Sequence, residues 1–107
     1  MLVPLGYVPG RSYFKEVIVG TTPVTVTVPD GARACALGIG VGSEDHPATS
    51  TVFLSYNGID PAVPAAGEPA AFDFITKNQW GDRYFGISEV RLVSAEEGQY
   101  VRLLFTI

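Results

Sequence analysis

Apolar and polar residues alternate along much of the chain. In "PVTVTVPD", Val24, Val26 and Val28 face one way and Thr25 and Thr27 the other, the period of two that marks a half-buried strand. Pro23 and Pro29 bound this run, and Asp30-Gly31 predicts the turn out of it. "KEVIVG" just before predicts a strand ended by Gly20. The next run, "ACALGIGVG", alternates in an unusual way. Cys35, Leu37, Ile39 and Val41 are set against Ala34, Ala36, Gly38, Gly40 and Gly42. It predicts a strand of about nine residues with one apolar face and one nearly bare face. Glycine inside a strand costs roughly 0.5–1 kcal/mol relative to alanine, so the bare face needs a cause. A bend is one. An aromatic side chain from a neighbouring segment lying over Gly38, Gly40 and Gly42 is the favoured one. Close approach of a second subunit is the functional alternative.

The rest of the chain continues in short strands. "STVFLSY" is a β-branched and aromatic run closed by Asn57-Gly58, a strong turn signal. "IDPAVPAAGEPAA" cannot hold a regular ladder and predicts a long surface excursion. "FDFIT" predicts a short strand, and "KNQWGDRYFG" a loop dense in aromatics. "SEVRLVSA" and "QYVRLLFTI" flank Glu96-Glu97-Gly98 and predict a terminal hairpin. Close-spaced strands between proline- and glycine-rich turns, with no helical periodicity, predict an all-β fold. The expectation is a single antiparallel β-sandwich, jelly-roll-like. It spans residues 1–107, with an extended N-terminal segment over 1–13. Val24, Val26, Val28, Cys35, Leu37, Ile39, Val41, Val101, Leu103 and Phe105 form its predicted core.

Composition narrows the function. The 107 residues are 47% hydrophobic and 17% charged, with a net charge of -4 and a pI near 4.7. So low a charged share leans towards a surface partly covered by partners. The acidic balance disfavours nucleic acid and anionic membranes. "MLVPLGYVPGRSYF" has neither the basic start nor the apolar core of a signal peptide, and no run is long enough to span a membrane as a helix. The expected compartment is the cytoplasm or an assembly formed there. The single cysteine, Cys35, excludes an internal disulfide framework and reads as a buried small hydrophobe.

Catalytic signatures are weak throughout. Gly38-x-Gly40-x-Gly42 has the wrong spacing for a dinucleotide loop, and no helix follows it. His46 with Glu44 and Asp45 reads as a solvated acidic loop, since adjacent residues rarely present three ligands to one metal. A calcium site at Asp45 or Asp60 has no recognised loop spacing, and there is no GxSxG elbow. The expectation is no enzyme, no cofactor and no metal. The most binding-like stretch is "QWGDRYFG", where Trp80, Tyr84 and Phe85 stand among Asp82 and Arg83. Aromatics with arginine suit protein interfaces. They equally suit stacking on sugars, with Tyr56 as a further ring.

Two stretches carry a resemblance: Val28-Pro29-Asp30-Gly31-Ala32 running into the alternating strand, and Ile87 through Phe105 at the end. With the proline/alanine-rich loop between them, they make the chain similar to small all-β virion proteins of tailed bacteriophages. The resemblance implies a capsid decoration, cement or tail component that acts through contacts with itself and other virion proteins. Virion localisation after assembly in the host cytoplasm follows. Closed symmetry is economical for repeated components, and a trimer is the first expectation. A carbohydrate-binding module using exposed aromatics is the alternative.

Overall fold

The computed structural model describes residues 12–84 and 86–107. Among them are eight strands: β1 (Ser12–Val19), β2 (Val24–Thr27), β3 (Ala36–Val41), β4 (Val52–Ser55), β5 (Asp73–Ile75), β6 (Trp80–Arg83), β7 (Glu89–Ser94) and β8 (Gln99–Thr106). They form two four-stranded antiparallel sheets, ordered β1-β8-β3-β6 and β2-β7-β4-β5. Hydrogen-bonded pairs nest inside one another: β1 with β8, β2 with β7, β3 with β6, β4 with β5. This is the pairing of one long hairpin rolled up until its two halves stack, the jelly-roll order. The β-sandwich read from the alternation is the fold.

The core lies between the sheets. Leu37, Ile39 and Val41 of β3, Val101, Leu103 and Phe105 of β8, and Leu54, Val90 and Leu92 of the opposite sheet are fully buried. Val28 is buried just past β2, while Val24 and Val26 pack against the core from a half-buried edge. Gly58 ends the β4 run at φ 80°, the left-handed backbone that the Asn-Gly signal implied.

Several expectations change. β7 and β8 do not pair with each other. β7 lies between β2 and β4, and β8 between β1 and β3, so the four residues between them cross from one sheet to the other. Cys35 is exposed and outside the core. Ala34 still follows the β2-β7-β4-β5 sheet, bridging to Ile87, whereas the Cys35 amide already donates to Thr106 of β8 at 2.8 Å. The chain changes sheets at Cys35, and the bend breaks the alternation there. β3 is therefore six residues long. "WGDR" is a strand, β6, preceded by a tight turn with Asn78 at φ 60°. β1 takes in Ser12 and Tyr13. The rest of the expected N-terminal extension, residues 1–11, lies outside the described residues.

The excursion over residues 57–72 is not free of the body. Asp60 accepts from Arg91 Nη1 at 2.9 Å, and Arg91 points away from the core, in register with Thr25 and Ser55. Pro61 is buried, and 61–63 line one depression with Val93, Ser94 and Ala95. Phe53 and Val93 also point outward, in register with each other, yet both are buried. The excursion thus supplies cover to the outer face of the β2-β7-β4-β5 sheet.

Candidate functional site

The outer face of the β1-β8-β3-β6 sheet is covered differently. Register places Phe14, Leu104, Gly38 and Asp82 in one row across the four strands, and Glu16, Arg102, Gly40 and Trp80 in the next. Gly38 and Gly40 form its floor. A β-carbon on Gly38 would collide with Trp80 Cζ2. One on Gly40 would fall 2.6 Å from Trp80 Cε3 and 2.9 Å from Arg102 Nη2. Cζ2 and Cε3 are opposite corners of the six-membered ring, so the indole lies flat across both glycines. The bare face therefore exists to seat an aromatic of the same chain. Gly42 belongs to a different device. It follows β3 at φ 84° and packs against Asn78 and Ala48 as the chain turns.

Trp80 is held from one side and open on the other. Its Nε1–H donates to Asp82 Oδ1 at 3.0 Å; the two residues are two apart on one strand and share a face. Arg102 reaches over Gly40 until its guanidinium carbon is 5.9 Å from the ring centroid, within cation–π range. Its Nη2 donates to the Gly42 carbonyl at 2.9 Å, and its Nε–H is buried with no acceptor among the described residues. Trp80 nevertheless remains 46% exposed. Beside it runs an open groove of about 470 Å³, lined by Trp80, Arg102, Glu44, Gln79 and Asn78 among others.

Towards β1 the same face carries two large open apolar side chains. Phe14 is 55% and Ile18 59% exposed; half-buried Leu104 lies opposite Phe14, and Glu16 stands between Phe14 and Ile18 along β1. The Tyr100 hydroxyl donates to Glu16 Oε2, which raises the pKa of the phenol.

The residues singled out from the sequence are not brought together. Trp80 and Asp82 share the outer face. Arg83 occupies the opposite side of β6, in register with buried Leu37. There it donates twice to Asp73, which also accepts from the Tyr56 hydroxyl. Tyr56 is thus committed to an inner cluster and shares no platform with Trp80. Tyr84 is 76% exposed beyond the end of β6. Phe85 lies outside the described residues. Arg102, Gln79, Phe14 and Ile18 were not singled out. Only the strand register, which crosses from β1 to β6, shows that Phe14, Ile18 and Arg102 share a face with Trp80; Gln79 joins them as a wall of the groove.

The loop that suggested a metal is a turn. Ser43 and His46 exchange backbone hydrogen bonds at 2.9 and 3.2 Å, and the imidazole packs on Tyr100 with centroids 5.2 Å apart. Comparison with protein families, with curated proteins and with solved structures finds no match to this chain.

Proposed function

We propose that the chain is a non-enzymatic structural component of a phage virion, a capsid decoration, cement or tail protein, working through protein–protein contact. The contact surface is the outer face of the β1-β8-β3-β6 sheet, around Phe14, Ile18 and Leu104. One observation carries the reading: the asymmetry of the two outer faces. The middle of the β2-β7-β4-β5 sheet is covered by the chain's own proline-rich excursion, which buries outward Phe53 and Val93 and leaves Phe74 at the β5 edge half-exposed. Among the described residues nothing comparable covers the β1 end of the other sheet, where Phe14 and Ile18 stand open. Large apolar side chains open to solvent on one strand face, Phe14 beside Leu104 and Ile18 beyond Glu16, suit a contact surface rimmed by polar groups. The jelly-roll order is shared by many viral capsid domains, which supports the reading as an analogy of fold, alongside the sequence resemblance.

A homo-oligomer built on this face, with a trimer as the first expectation, gives the test. Sedimentation velocity over the micromolar range should show reversible association. Ile18→Asp, at an exposed position, should abolish it while leaving the thermal melt in place. Association with phage particles, read by co-sedimentation, should fall in parallel. A wild-type protein that stays monomeric and does not co-sediment with particles overturns the proposal.

A further inference from the structure

The geometry points to a carbohydrate subsite in the groove beside Trp80, in which one pyranose residue of a glycan stacks on the open face of the indole. This inference is independent of the virion reading and uses the opposite end of the same sheet face.

A pyranose offers a face of C–H groups and a rim of hydroxyls. The groove offers the complement. Its floor is one flat ring, rigid because Gly38 and Gly40 seat it from below and Asp82 fixes its nitrogen. Such a ring gives up little conformational freedom on binding. Around it stand Glu44, Gln79 and Arg102. The first two are exposed and make no side-chain hydrogen bond among the described residues. A carboxylate, an amide and a guanidinium can each take up hydroxyl groups as acceptor, acceptor and donor, or donor. Arg102 is held in place at the groove wall by the bond from its Nη2 to the Gly42 carbonyl, so its guanidinium is pre-ordered for a ligand. The groove volume, about 470 Å³, lies within the usual range for small-ligand sites.

Charge decides between sugar and the other stacking ligand, a nucleobase. Arg102 and Glu44 offset each other within the groove, and the whole chain carries -4. The phosphates of a nucleotide or nucleic acid would meet this acidic balance, with Arg102 the single cation among the described residues that line the groove. A neutral glycan meets no such penalty. Aliphatic side chains would gain from the ring but would strand the polar rim.

Titration with methyl β-D-glucopyranoside, methyl β-D-galactopyranoside and methyl α-D-mannopyranoside tests this. Trp80 is the sole tryptophan, so its emission reports the site directly, and two-dimensional amide NMR locates the response. At least one pyranoside should saturate in the millimolar range and shift the amides of Gly42 and Gln79. Gln79→Ala and Glu44→Ala, both at exposed positions, should weaken it about five- to tenfold, the loss of one hydrogen bond. Trp80→Ala, checked by its amide spectrum to be folded, should abolish it. Ile18→Asp should leave it unchanged, which separates this site from the assembly face. No response to any of the three sugars at tens of millimolar overturns the inference. So does binding that survives Trp80→Ala, or a response that maps away from the groove.

Discussion

Arg83 grips Asp73 with two nitrogens, Nε at 2.5 Å and Nη2 at 2.7 Å, and this fork joins the two sheets. Asp73 belongs to β5 and Arg83 to β6, each at the edge of its own sheet. Next along, Ile75 fills the space where a Gly81 side chain would stand. One ionic clasp and one aliphatic plug therefore close that side of the sandwich. Arg83→Met should cost about 1–3 kcal/mol, because it leaves a half-buried carboxylate with one partner fewer. That corresponds to about 4–8 °C of Tm for each kcal/mol. A melt within error of wild type would sink the assignment.

The same cluster sets a pH window. Burial alone raises the Asp73 pKa, but hydrogen bonds from Arg83, Tyr56 and the Phe74 amide outweigh it, and the net direction is downward. A lowered carboxylate contributes stability above its unfolded pKa, about 3.9, and loses it as the pH falls further. Tyr56 shifts the other way, raised by burial first and then by its bond to Asp73. Its contribution is full below the unfolded phenol value of about 10 and is lost as the pH rises through the raised one. Urea midpoints should form a plateau between those limits. Arg83→Met should shrink the acid limb, and Tyr56→Phe the alkaline limb. Limbs unchanged by both substitutions would contradict the cluster.

Gly38→Val should move Trp80 without unfolding the protein. The new side chain cannot coexist with the ring, but the ring lies on the outer face and can swing into solvent. Lost packing is offset by the better strand propensity of valine, worth up to about 1 kcal/mol. The net stability change should stay within about 1 kcal/mol, while Trp80 emission shifts to the red and acrylamide quenching rises. Unchanged emission would place the ring elsewhere.

Gln99 is a buried polar side chain that spends three of its hydrogen bonds on the loop at Thr49 and Ser50 and one on its own connection at Glu97. Oε1 accepts from the amides of Thr49 and Ser50 at 2.9 and 3.2 Å, and Nε2 donates to Thr49 Oγ1 and the Glu97 carbonyl. Gln99→Leu should cost about 1–3 kcal/mol and speed hydrogen exchange at Thr49 and Ser50. Ile39→Ala, at a fully buried site, should cost more, about 2–5 kcal/mol. If Gln99→Leu instead leaves exchange at Thr49 untouched, the loop is held by other means.

Cys35 gives a direct chemical check of where the chain changes sheets. Exposed as it is, the thiol should react with a disulfide reagent in the native protein, at a rate little changed by urea. A thiol that reacts only after unfolding would put Cys35 back in the core.

That position also shows what the sequence could and could not convey. Alternation says which residues face inward, and Leu37, Ile39, Val101 and Leu103 are where it put them. It carries no word on which strand lies alongside. The turn residues between β7 and β8 would suit a hairpin equally well, yet the two strands part. Nor does a local pattern reveal a corner, so alternation alone groups Cys35 with the strand it precedes. β6 is not legible in the sequence because Gly81 and Asp82 disfavour strands on their own. They are tolerated there because Ile75 fills the space at Gly81 and Trp80 finds its seat on β3. The bare face of β3 was legible as a question. Its answer needed the register that sets Gly40 opposite Trp80.

The nested pairing has a kinetic consequence. Leu54 and Asp73, partners in the innermost pair, are near one another along the chain, while Ser12 and Thr106, in the outermost, are almost its full length apart. The entropy of closing a loop grows with its length, so β4–β5 is the cheapest ladder to start and β1–β8 the dearest. Each inner pair, once made, shortens the effective loop of the next. The chain should zip from its middle towards its ends, at the slow pace of folds dominated by distant contacts. β1 then seals the barrel of the roll last and comes away first, so amide exchange should be fastest along Ser12–Val19 and slowest in β4 and β7.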